Sequence, residues 1–162
     1  MMLLRFISVV FFCFICFDAY SAEESGGNIP RFVSLRVDEA NVRTGPGTRY
    51  PILWVYRKKD FPVEIIEEFG LWKKIRDMDN SIGWVHKSML KGARRAIVRK
   101  KRTAFVRIDH DEEAKPLIKL SPKVVVNILE CDKRWCYIQV SGHKGWIQKE
   151  DIWGVYSYEI IE

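Results

Sequence analysis

The sequence predicts an all-β protein of two tandem small barrels. Three observations carry this: the chain repeats itself, each copy is built of short β-branched and aromatic runs, and turn residues rather than helical stretches separate the runs. EIIEEFGLWKKI, residues 64–75, aligns with NILECDKRWCYI, residues 127–138, at a constant offset of 63. The alignment matches Ile65 to Ile128, Glu67 to Glu130, Trp72 to Trp135 and Ile75 to Ile138. Further on, SIGWVHKSML (81–90) matches HKGWIQKEDI (143–152) at an offset of 62, so the second copy has lost one residue from a hairpin turn. A period of about sixty residues means tandem small domains rather than a solenoid.

The chain opens MMLLRFISVVFFCFICFDAYSA: Arg5 as a short positive region, an apolar run over residues 6–17, then small residues at Ala19, Ser21 and Ala22. This reads as a signal peptide over 1–22, removed after Ser21 or Ala22. The apolar run has 12 residues, against the roughly 20 a membrane-spanning helix needs. Export is therefore the expectation, to a periplasmic or extracellular location. Cys13 and Cys16 leave with the signal, and no small residues precede either as a lipid-anchored signal would require.

Within the first copy, Val63 and Ile65 begin one apolar set and Trp72 and Ile75 a second, with a turn at Gly70 between them. Asp79, Asn80 and Ser81 supply the next break, and Ser141-Gly142 its counterpart in the second copy. No window of ten or more residues beyond the signal shows a helical period. About five short strands in sixty residues suggest a closed barrel, because closure removes exposed sheet edges.

Cys131 and Cys136 are the only cysteines left after the signal. An even pair in an exported protein reads first as a disulfide. The alternatives are a redox pair and half of a metal site. A thioredoxin-like pair would be C-x-x-C opening a helix, whereas four residues separate these two and strand-like sequence follows. Zinc would need further ligands, and of His86, His110 and His143 only His143 lies near, at no recognisable spacing. In the first copy the aligned positions are Glu68 and Lys73. Facing residues of an antiparallel pair have Cβ atoms about 4.5–5.5 Å apart, and a disulfide needs a comparable or slightly closer approach. One hairpin is thus expected to close by charge and the other covalently.

ANVRTGPGTRYPILWVY, residues 40–56, opens the first copy; Pro46 is placed to set φ in a tight turn and Gly47 to supply φ > 0 after it. With the later G-L-W-K-K-I and G-W-V, this segment closely resembles bacterial Src-homology-3-like domains, which begin with an N-V-R-x-G-P form and end with G-W-[VI]. The resemblance covers residues 33–90 well. A second, divergent domain is expected over 98–156, with FVRIDHDEEAKP where the glycine turn should be and a basic connection over 91–97. Its ending resembles an exported proteobacterial subfamily with two such domains.

The resemblance implies a non-catalytic module binding cell-wall polymer or an envelope peptide in a shallow aromatic groove, a peptidoglycan-type ligand. Its candidate residues are Asn41, Arg43, Tyr50, Trp54, Trp72 and Trp84: aromatic faces for sugars or prolines, Arg43 for a carboxylate. About half of these aromatics should be core, because small domains bury tryptophan for bulk. Trp153 and Tyr156 read as covering a barrel end or the domain interface. The contrasting class is an adaptor that binds another envelope protein and no small ligand. An enzyme is not expected, since the two copies account for nearly all the mature chain and leave no separate catalytic domain. Neither a metal nor a cofactor is expected.

The chain carries 27 Lys and Arg against 21 Asp and Glu, net +6. The stretch KGARRAIVRKKR, 91–102, holds seven of those cations and no acid, leaving about −1 for the rest. Such a run is usually a solvated connection; here it runs into a strand with Ile97 and Val98 inward. Its functional reading is an anionic-surface patch of Arg94, Arg95, Arg99, Lys100, Lys101 and Arg102, attracted to a membrane surface or the wall. Export argues against a nucleic acid partner.

Overall fold

In a computed structural model of the chain, residues 27–99 and 103–162 are described. The expected signal peptide over 1–22 lies outside them, as do Lys100, Lys101 and Arg102 of the basic run. The first unit comprises β1 (Arg31–Leu35), β2 (Ala40–Arg43), β3 (Ile52–Tyr56), β4 (Pro62–Phe69), β5 (Trp72–Arg76), β6 (Ile82–His86) and β7 (Leu90–Lys91). The second comprises β8 (Arg95–Val98), β9 (Ala104–Arg107), β10 (Pro116–Leu120), β11 (Val125–Cys131), β12 (Trp135–Val140), β13 (His143–Gln148) and β14 (Ile152–Trp153). Each forms one antiparallel seven-stranded sheet, ordered β3-β2-β6-β5-β4-β1-β7 and β10-β9-β13-β12-β11-β8-β14. The repeat read from sequence is thus a repeat of topology.

The ladders do not close into the expected barrel. β3 and β7 end one sheet, β10 and β14 the other, because β7 and β14 are two residues long and pair only with β1 and β8. Curvature comes from bulges at matching places, between Ile65 and Glu67 in β4 and between Ile128 and Glu130 in β11. Inside the first sheet lie Leu35, Val42, Val63, Ile75 and Val85; inside the second lie Val98, Val106, Val126, Ile138 and Ile147. Within the expected connection over 91–97, Lys91 ends β7 and Arg95 begins β8.

Turn chemistry explains the lost residue. In the first copy Asp77 donates its N–H to Ser81 O at 3.1 Å across a three-residue loop, with Asn80 at φ 63°. In the second, Val140 faces His143 across the two residues Ser141 and Gly142, at φ 47° and 82°. Both positive φ values suit the tight turns whose twist matches a hairpin's.

Cys131 and Cys136 face each other across β11 and β12 and are joined by a disulfide. Glu68 and Lys73 face each other in the first copy, with Nζ 2.7 Å from Oε2. Arg31 adds a second pair to Glu68 at 2.5 Å. Burial pushes the Glu68 carboxyl up, but the bonds and charges of Lys73 and Arg31 outweigh it and hold the carboxyl below its ordinary value. Reduction, or Cys131→Ser with Cys136→Ser, is expected to lower stability by about 2 kcal/mol through the entropy of so short a loop. Urea unfolding of oxidised and reduced protein measures this, and coincident midpoints would refute it.

The two sheets meet through side chains. Phe32, on β1, lies edge-on to Trp153 at 4.9 Å between centroids and tilted against Tyr156 at 4.7 Å. The Tyr156 hydroxyl donates to Glu64 Oε1 at 2.8 Å, while Arg76 donates to Oε2 of the same buried carboxylate. Trp153 and Tyr156 therefore lie at the interface between the units, one of the two places expected for them. The tail beyond Tyr156 adds a partner the sequence reading missed: Ile161 pairs with Cys131, the two N–H···O bonds measuring 2.8 and 3.0 Å.

Candidate functional site

Alternation along β2, β5 and β6 decides which side chains share the outer face of the first sheet. Ala40 and Val42 are buried inward, so Asn41 and Arg43 point outward. Arg43 pairs with Trp84, Trp84 with Lys74, and His86 with Trp72. This places Asn41, Arg43, Trp84, His86, Lys74 and Trp72 on one face. A groove of about 370 Å³ opens there, bordered by Glu39, Asn41, Arg43, Thr48, Trp72, His86 and Met89.

Three of the six expected residues thus line one groove: Asn41, Arg43 and Trp72. Trp72 meets the His86 ring edge-on at 5.4 Å, and His86 Nδ1 accepts the Ser88 N–H at 3.3 Å. Glu39, Thr48, His86 and Met89 were missed. For His86 a signal existed, since it stands two residues after Trp84 in a strand and must share its face.

The other three do different work. Trp84 shares the outer face but is buried, with Lys74 Nζ 5.7 Å from its ring centre. Trp54 faces Val42 across the ladder and packs on the core with Tyr56, so it belongs to the interior. Tyr50 closes over the glycine turn. A Cβ on Gly45 would stand 2.5 Å from its ring, and one on Gly47 3.3 Å. Gly47 does not take the positive φ expected of it; among described glycines only Gly70, Gly142 and Gly154 do. Glycine is required in this loop at Gly45, for clearance.

Arg43 both borders the groove and holds its loop. Its Nη1 donates to Thr48 O at 3.0 Å and Tyr50 O at 2.8 Å, so that nitrogen is engaged internally rather than by a ligand carboxylate. Arg107, its counterpart, donates in the same way to Ala114 O at 2.7 Å. The second copy covers its own outer face instead: His110 and Tyr137 pack tilted against Trp146 at 4.8 and 5.2 Å between ring centroids.

Two of the three described cations of the anionic-surface patch are engaged within the fold. Arg94 pairs with Glu159 and donates to Gly154 O at 3.0 Å. Arg95 donates to Asn127 Oδ1 and lies 3.5 Å from Asp60. Of the six, Arg94 and Arg95 are thus bound internally and Arg99 is exposed.

The sequence pattern described as the bacterial SH3 domain matches the chain twice, over residues 36–92 and 100–154. The chain belongs to the bacterial SH3 domain family. Both SH3 copies keep the Gly-Trp pair at Gly83-Trp84 and Gly145-Trp146, and in each the Trp is the sole ladder partner joining β2 to β6 or β9 to β13. No curated protein matches the chain in sequence. Among solved structures, NlpC2 from Trichomonas vaginalis is 12% identical, with a TM-score of 0.36, covering 79% of this chain and 49% of that one. NlpC1 from the same organism is 13% identical, with a TM-score of 0.36 over 79% and 47%. An NlpC/P60 family protein from Bacillus cereus is 17% identical, with a TM-score of 0.33 over 75% and 55%. The chain spans about half the length of the solved structures it matches.

Proposed function

We propose that this chain is a non-catalytic, exported binding module whose first SH3 domain holds a peptidoglycan-type polymer or peptide of the cell envelope. The groove beside Trp72 carries this reading. It offers the Trp72 and His86 rings and Met89 as apolar walls, with Asn41 and Glu39 as polar points at its rim. Such a mixture suits an extended ligand with packing faces and spaced hydrogen-bonding groups. Nothing in this use asks for a bond to be made or broken.

Trp72→Ala and Asn41→Ala are expected to weaken sedimentation of the protein with purified peptidoglycan about tenfold, on the scale of one lost aromatic anchor. Trp54→Ala is expected to lower the melting temperature instead. Parental binding by the Trp72→Ala, Asn41→Ala double variant would refute the site. A second reading, an adaptor for an envelope protein, is favoured by Ile52 and Leu53, 47% and 49% exposed on edge strand β3. Capture of one envelope protein, lost on Leu53→Lys and untouched by Trp72→Ala, would establish it.

A further inference from the structure

A second opening recurs in both copies, away from the groove. In the first unit it is a cavity of about 260 Å³ bordered by Arg31, Arg36, Lys73, Lys87 and Lys91. In the second, a cavity also of about 260 Å³ is bordered by Arg99, Lys133, Arg134 and Lys149, with Glu150 the one acid.

The two share an arginine anchored in the same way. Arg36 and Arg99 are aligned residues just past β1 and β8. Arg36 donates Nε to Leu90 O at 3.1 Å, and Arg99 donates Nε to Ile152 O at 3.1 Å, the aligned carbonyl of the last strand. Each guanidinium is thereby fixed at one nitrogen, and its terminal NH2 groups have no partner among the described residues. Beside each stands a lysine equally free among them, Lys87 and Lys133.

The other cations are occupied. Lys73 pairs with Glu68, Lys91 with Asp60, and Lys149 donates to Glu159 O at 2.5 Å. They leave positive potential in the cavity without competing as donors. The free donors come from different elements: an arginine after the first strand in both units, with a lysine of the 3-10 helix Lys87–Met89 in the first and one on the β11–β12 turn in the second, where Lys149 holds the place aligned with Lys87. Donors arriving from several directions match a tetrahedral oxyanion better than a flat carboxylate.

We propose that each SH3 copy carries a phosphate-binding pocket, at Arg36 and Lys87 in the first and at Arg99 and Lys133 in the second. Two such pockets on one chain suit a ligand with more than one phosphate group. Binding at both would gain from effective concentration without any new contact.

The test titrates the full chain with inorganic tripolyphosphate in a calorimeter, with acetate as the comparison. Saturable binding at two sites per chain is expected, with acetate giving none. Lys87→Gln and Lys133→Gln remove side chains that have no partner among the described residues, so neither variant puts the described fold at risk. Each is expected to weaken one site about tenfold, as the loss of one charge-assisted bond implies, and the double variant both. Absent or non-saturable binding, binding unchanged in the double variant, or acetate bound as well as tripolyphosphate would overturn the proposal.

Discussion

Gly145→Ala is expected to destabilise the second SH3 domain by about 3 kcal/mol, the upper end for forcing an extra carbon into a packed site. A Cβ there would stand 2.6 Å from Arg107 O and 2.7 Å from Val106 Cγ1. The first obstacle is backbone, and it sits where β13 meets β9 through the single pair Trp146 and Arg107. Moving that carbonyl opens the sheet. Gly83→Ala, the matching change, is expected to cost less. Its nearest obstacle at 2.4 Å is Val42 Cγ1, a side-chain methyl, while Arg43 O lies at 3.1 Å. Urea unfolding of both variants gives the order, and a Gly145→Ala midpoint equal to the parent's would refute the argument. The glycine of the Gly-Trp motif thus serves strand approach, and the tryptophan the outer face.

Phe32→Ala is expected to cost about 3 kcal/mol, as for a buried phenylalanine, and to separate the unfolding of the two units. Phe32 is 7% exposed although it lies outside the first sheet's core; what covers it are Trp153 and Tyr156 of the second unit. Removing the ring leaves polar contacts to hold the units together, the Tyr156 bond to Glu64, the Lys58 bond to Lys123 O at 3.1 Å and the Arg95–Asp60 approach at 3.5 Å, and such contacts are worth about 1 kcal/mol or less each. Differential scanning calorimetry is expected to show one transition in the parent and two in the variant. A single transition at the parental temperature in Phe32→Ala would show that the interface adds nothing.

What was legible in the sequence was what repeats at short range. Glu68 and Lys73 against Cys131 and Cys136 gave the facing register, because both copies carry the same hairpin at one offset. The turn that lost a residue was readable for the same reason. The side taken by each tryptophan was not. Trp54 turns inward because it faces Val42, next to a bulge between Val42 and Arg43 that no alternation rule anticipates. Ladder closure was equally hidden, since it depends on how far β7 and β14 run. Glu159 lies 65 residues from its partner Arg94, Tyr156 lies 92 from Glu64, and Phe32 is covered from the other unit, distances at which local pattern carries no information.

The tail after Trp153 changes what counts as a domain in this protein. The family pattern stops at 154, yet Tyr156 reaches Glu64 in the other unit, Glu159 receives Arg94, and Ile161 extends the edge of the disulfide-bearing strand. A fragment cut at the pattern's limit would present bare backbone at Cys131 and an unmatched Arg94, and its neighbour would show Phe32 to water. Fragments intended to isolate either copy should therefore run through Glu162 for the second and carry a polar replacement at Phe32 for the first. Otherwise their stickiness would be mistaken for ligand binding.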